Sequence, residues 1–144
     1  MSKTEVSIGK KEQPVAQKEA RKSIRDLIFL GKVERVININ GFAVKLKSLT
    51  VSDNKALITK ILQLNDSSTK FVEAKVLSIA MHLQSIDDTP IENLCEDDSI
   101  KDVLDRKCSV VSSLQLSFLE RLHQICSEID AESDKEIEIE EIKK

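Results

Sequence analysis

Aromatic residues are nearly missing from this sequence, which has no Trp, no Tyr and four Phe. A core must then be built from Leu, Ile and Val, and the ring stacking that single-stranded nucleic-acid binders use has little to work with. Three glycines and two prolines argue against a loop-rich or all-β chain and favour helices. The glycines, Gly9, Gly31 and Gly41, stand far apart, so no Gly-rich phosphate loop exists. Three cysteines, Cys95, Cys108 and Cys126, form an odd number without a short repeated spacing. That suits a reducing compartment better than a disulfide framework. The longest apolar run, Leu27 to Leu30, is too short for a membrane span or a secretory signal. The reading is an intracellular, soluble protein that does not enter a membrane.

What is present is best organised between residues 33 and 53. Asn40-Gly41 is the dipeptide that accepts positive φ at both central positions of a type I′ turn. A two-residue loop then dictates the register, placing 39 opposite 42, 37 opposite 44, 35 opposite 46 and 33 opposite 48. Ile39, Ile37 and Val33 thereby share a face with Phe42, Val44 and Leu46, and only Arg35 interrupts it. Glu34, Lys47, Lys45 and Asn38 fall on the other, solvated face. Thr50 followed by Asp53 resembles a capping box, with a carboxylate where the helix dipole favours it. An isolated hairpin is marginal in water and needs helices to cover it.

Apolar spacing supplies them: helices are expected over about 51–64, 69–85, 99–107 and 113–130. Ser99 is the expected cap of the third, with Arg106 and Lys107 in its last turn, and Ser112 with Gln115 the expected capping box of the fourth. The last helix carries the stripe Phe118, Leu119, Leu122, Ile125, Cys126 and Ile129. Ser23 followed by Asp26 and the run to Leu30 predicts a turn or two of helix or a strand, stopped by Gly31. Between 85 and 99, Pro90 and the acidic residues Asp87, Asp88, Glu92 and Glu96 predict a connection, with room for a short strand at Ile86 or a helical turn at 91–95. The fold class expected is α+β, mainly helical, one hairpin at about 33–47 packed on three to four helices.

Charge is graded. Residues 1–25 hold seven Lys or Arg against three Glu, and residues 130–144 hold seven Asp or Glu against three Lys. The expected organisation is a flexible basic arm at 1–22, a single compact domain at 23–130 and an acidic tail at 131–144. In that tail Ile137, Ile139 and Ile142 alternate with Glu, a pattern that also suits a strand added to a partner's sheet edge.

Chemistry is harder to find. His123 and Cys126 stand at i, i+3, but zinc needs about four ligands, and His82, Cys95 and Cys108 show no paired spacing. No metal site or cofactor is expected. Histidines and thiols occur, yet none sits in a nucleophile motif with a positioned base, so no catalytic residue is assigned and no enzyme is expected. Pro90 and the missing glycine break any calcium loop in the 87–98 carboxylates. Lys10, Lys11, Lys18, Arg21, Lys22 and Arg25 would be the phosphate contacts of a nucleic-acid binder, but glutamates interrupt them, and no nucleic-acid partner is expected.

The segment DLIFLGKVERVININGFAVKLKSLTVSDNKALI, residues 26–58, resembles a pattern in small proteins of tailed bacteriophages: an apolar "FLG", a hairpin with a glycine turn, then "LKSLT" leading into a helix. The later order, a helix ending in SIDDTPIE and then an amphipathic helix, is similar too. Asp53 fills the place of the acidic residue that follows "LT" in many such sequences, while aromatics common in their last helix are replaced here by Leu and His. The resemblance implies a non-catalytic binding protein of tail or baseplate assembly. In this reading it is a chaperone for the tape-measure or baseplate hub protein, found in the host cytoplasm. The alternative is a permanent structural subunit, which would be present in the virion; a further alternative is a small intracellular nucleic-acid-associated adaptor. An oligomer is compatible with all three. The outer hairpin strand and the last-helix stripe are the expected partner surface, through Phe42, Val44, Leu46, Phe118 and Leu122.

Overall fold

Asn40 and Gly41 adopt φ of 51° and 93°, the paired positive values of a type I′ turn. They join β1 (Glu34–Ile39) to β2 (Phe42–Lys47). Pairing follows the expected register throughout, from Ile39 opposite Phe42 through Arg35 opposite Leu46 to Glu34 opposite Lys47. The computed structural model describes residues 24–142; the expected arm at 1–22, the Ser23 cap and the last two residues of the tail lie outside them. Two compact units divide between Leu30 and Gly31. Of the first, the described residues form a 3₁₀ helix, Ile24–Phe29.

In the second unit the hairpin belongs to a larger sheet. Antiparallel strands run in the order β1-β2-β3-β4, with β3 at Leu83–Ile86 and β4 at Thr89–Pro90. Residues 83–85, expected to end a helix, instead line the free edge of β2, with Leu83 opposite Leu46 and Ile86 opposite Val44. Leu83 continues the helical stripe of Val76 and Ile79, so periodicity alone places it on the helix; the cross-strand bonds override that preference. A second two-residue turn follows at Asp87 and Asp88, φ 50° and 66°. Aspartate tolerates this region better than most residues, and Asp87 is held there: its Oδ1 accepts from Ala43 N at 2.8 Å and its N donates to Ala43 O at 2.8 Å.

Four α-helices complete the described unit. α1 (Val51–Leu62) has the expected capping box, Thr50 accepting from Asp53 N and Asp53 Oδ2 accepting from Thr50 N, both at 3.0 Å. α2 spans Lys70–His82. α3 runs over Val103–Ser112, four to five residues beyond the expected 99–107. Asp102 caps it, accepting from Asp105 N at 3.0 Å, whereas Ser99 turns back to Asp97 through both N and Oγ. Arg106 and Lys107 therefore lie in its first half. α4 spans Leu116–Lys135, so five residues assigned to the tail are helical, and no side chain caps its start. The connection before α3 contains the β4 strand and a 3₁₀ turn at Ile91–Leu94. Arg106 pins it, donating to the carbonyls of Glu92, Cys95, Asp97 and Ile100 at 2.9–3.2 Å.

The core lies between one face of the sheet and the helices. It joins Val33, Val44 and Leu46 to Val76, Ile79 and Ala80 of α2, Ile91, Val111 of α3, and Leu119, Leu122, Cys126 and Ile129 of α4. Two buried polar side chains are satisfied. Ser48 Oγ accepts from Val33 N at 2.9 Å. His82 places Nδ1 2.8 Å from Ser78 O and Nε2 2.8 Å from Asp130 Oδ1, joining α2 to α4.

Candidate functional site: a groove between the sheet edge and the last helix

α4 lies along β1 in the opposite direction. Phe118 and Arg121 of its N-terminal half line a groove with Ile39 and Phe42 near the hairpin tip. Farther along, Glu128 and Glu132 bond Arg35, and Ser133 Oγ donates to the Gly31 carbonyl just before β1. Gly31 has a φ of +84°, and a Cβ there would lie 3.3 Å from both Ser133 Oγ and Ile137 Cδ1, so this approach of helix to strand requires glycine.

The groove left between the two elements encloses about 820 Å³. Its floor is apolar, formed by Ile37, Ile39, Phe118 and Ile125, each half-buried. Phe42 stands at one end with 55% of its surface exposed, an unusual position for the larger of the hairpin's apolar side chains. Arg121, Gln124 and Glu128 form the polar rim. Of the five residues expected to bind a partner, only Phe42 and Phe118 lie here. Val44, Leu46 and Leu122 are fully buried, because all three belong to the core between the sheet face and α2 and α4. Ile37, Ile39, Ile125 and Arg121 were not among the expected site residues, although the turn-defined register already placed both isoleucines on the face of Phe42.

A second cleft, about 470 Å³, lies among α1, α2 and α3 and is lined by Leu64, Val76, Leu77 and Cys108. Lys60 and Asp105 close it with an ion pair at 3.0 Å. The lysine pKa is raised, first by that bond to Asp105 and against the cost of desolvation. The third charged residue of the cleft, Glu73, accepts from Thr69 Oγ1 at 2.8 Å, so all three already have partners.

The candidate ligands and nucleophiles serve the fold. His82 is buried with both ring nitrogens occupied. Cys126 packs in the core, and burial, aided by Asp130, pushes its thiol up to about 12. Burial, with Asp105 beside it, pushes Cys108 up to about 11. Both move away from the thiolate that nucleophilic or ligating sulfur requires. Among the described residues no group of three or more His, Cys, Asp or Glu is placed to hold a metal ion, and no helix is long and apolar enough to cross a membrane.

Comparison with protein-family models, with curated proteins and with solved structures finds no match in any of the three.

Proposed function

We propose that this chain is a non-catalytic protein-binding factor that holds an apolar segment of another protein in the groove between β1 and α4. The observation that carries the reading is Phe42, more than half exposed beside an apolar floor of isoleucine and phenylalanine. A concave surface that combines an apolar floor with polar groups around it is a usual form of a binding site, and here Asn38, Asn40, Ser117, Arg121, Gln124 and Glu128 surround the apolar residues. Its specific form, an assembly chaperone for the tape-measure or hub protein of a phage tail or baseplate, rests on the resemblance carried by residues 26–58. A permanent tail or baseplate subunit is the second reading, favoured by the same resemblance.

Phe42→Glu and Leu122→Ala separate surface from core. Phe42→Glu is expected to leave the melting temperature within a few degrees of wild type while abolishing capture of a co-expressed tape-measure or hub protein. Leu122→Ala is expected to destabilise by about 2–5 kcal/mol. Capture undiminished by Phe42→Glu overturns the groove as the binding site. Mass spectrometry of purified particles then divides the two assembly roles, a chaperone being absent and a subunit present.

A further inference from the structure

Among the described residues β1 is an edge strand, bonded to β2 on one side only. Ser48 N donates to Val33 O at 2.8 Å, which makes 33 and 48 a hydrogen-bonded pair and, by alternation, turns the N–H and C=O groups of Glu34, Val36 and Asn38 outward. No described residue bonds them. Such edges are usually blunted by charged side chains, proline, a bulge or a short length; β1 carries Glu34 and Arg35 at its start, but it is six residues long and regularly paired, with Val36 66% exposed at its middle. The apolar groove runs along this edge, so a strand added here would drop alternate side chains onto Ile37, Ile39 and Ile125.

One segment of the chain has the matching features. After α4, residues 136–142 adopt no helix or strand. They read Glu-Ile-Glu-Ile-Glu-Glu-Ile, with Ile139 91% and Ile142 83% exposed. In a strand, Ile137, Ile139 and Glu141 share a face. Ile137 is held beside Gly31 of its own copy, so Ile139 is the side chain that suits the groove floor, and Glu141 suits Arg121, which lines the groove and has no ion pair with any described residue.

The path of the chain decides whose edge it meets. α4 descends antiparallel to β1, and Ile137 lies beside Gly31 at the head of that strand. To lie on its own β1 the segment must reverse within a few residues of Lys135, and no Gly, Pro or Asn occurs from 136 to 142 to make a tight reversal. Continuing onward, it leaves its own body. We propose that the segment 138–142 of one copy adds as a strand to the β1 edge of a second copy, Ile139 seated in the β1–α4 groove, and that two copies exchange these strands reciprocally. Reciprocal exchange satisfies both edges and closes the assembly at two. The proposal shares the groove with the reading above but not its occupant, and it stands or falls without any foreign partner.

Sedimentation equilibrium of the full chain over a wide concentration range tests it, and a concentration-dependent dimer is expected. Val36→Pro removes one outward N–H without breaking a bond to β2, and Ile139→Lys changes a side chain exposed in the single copy. Each is expected to weaken the dimer roughly tenfold or more with the circular dichroism spectrum unchanged. An equimolar mixture of the two variants retains one native joint, the wild-type edge of one with the wild-type tail of the other, and is expected to associate more tightly than either alone. A monomer at every concentration assigns the groove to another occupant and overturns the proposal. So does a dimer that either variant leaves unchanged.

Discussion

Arg35 places Nε and Nη2 3.1 and 2.7 Å from the same oxygen of Glu132. This pair explains the one break in the apolar face of the hairpin. The guanidinium reaches across to the last turns of α4, with Glu128 3.4 Å from Nη1, and its pKa is raised first by the bond to Glu132. The pair ties the C-terminal half of α4 to β1.

Both partners keep about a third or more of their side-chain surface in solvent, so screening limits the strength of the pair. A double-mutant cycle of Arg35→Met and Glu132→Gln is expected to return a coupling of about 0.5–1 kcal/mol, read from urea denaturation and shrinking as salt is added. Zero coupling at low salt would mean that packing alone orients the helix.

Asp53 has a dependence on pH. Burial raises its pKa, but Lys47 Nζ at 2.6 Å and the Thr50 backbone N–H outweigh that, and the net shift is downward. A carboxylate with a depressed folded-state pKa contributes stability above its unfolded value, near 3.9, and that contribution is lost as the pH falls through the folded value. Asp53→Asn is therefore expected to cost about 1 kcal/mol at pH 7 and progressively less below about pH 4. Denaturation midpoints of the two proteins over that range are the measurement.

Arg106 has the densest set of hydrogen bonds in the described chain, serving four carbonyls of residues 92–100. Removing it leaves part-buried acceptors without a donor. Arg106→Ala is expected to destabilise by about 2–3 kcal/mol, and Arg106→Lys to recover less than half of that because a point ammonium cannot span the same acceptors. Hydrogen exchange should quicken first at the amides of 91–100. A uniform loss across the domain would contradict this local role.

The thiols supply a chemical test. With Cys126 pushed up to about 12 by burial, its thiolate fraction at pH 8 is roughly three orders of magnitude below that of an unperturbed cysteine. Iodoacetamide is expected to spare Cys126 in the native protein and to label it once urea is added, as peptide mass mapping would show. Rapid native labelling at Cys126 would mean that α4 opens from the sheet.

Local chemistry was legible in the sequence wherever neighbours along the chain settle the structure. The Asn40-Gly41 turn determines every pair of the first hairpin, since side chains alternate and the loop length leaves no freedom of register. The Thr50 and Asp53 box is likewise a contact over three residues. Boundaries that depend on distant partners were not legible. Ser99 and Asp102 are both competent caps, and Ser99 loses because Asp97 engages it. Leu83 satisfies a helical stripe and a strand equally, and only the free edge of β2 chooses between them.

The candidate site divides along the same line. Sequence alone determined a mainly helical α+β protein, the apolar face of the hairpin and the apolar stripe of the last helix, because periodicity and turn geometry are properties of neighbouring residues. Tertiary structure decided which of those apolar residues remain at the surface. Val44 and Leu46 of the inner strand β2 are enclosed by α2 and α4, while no described strand pairs with the outer edge of β1. Exposure depends on which elements meet, and that is set by pairings across the chain, such as Leu83 with Leu46 and Glu132 with Arg35, that no local pattern encodes.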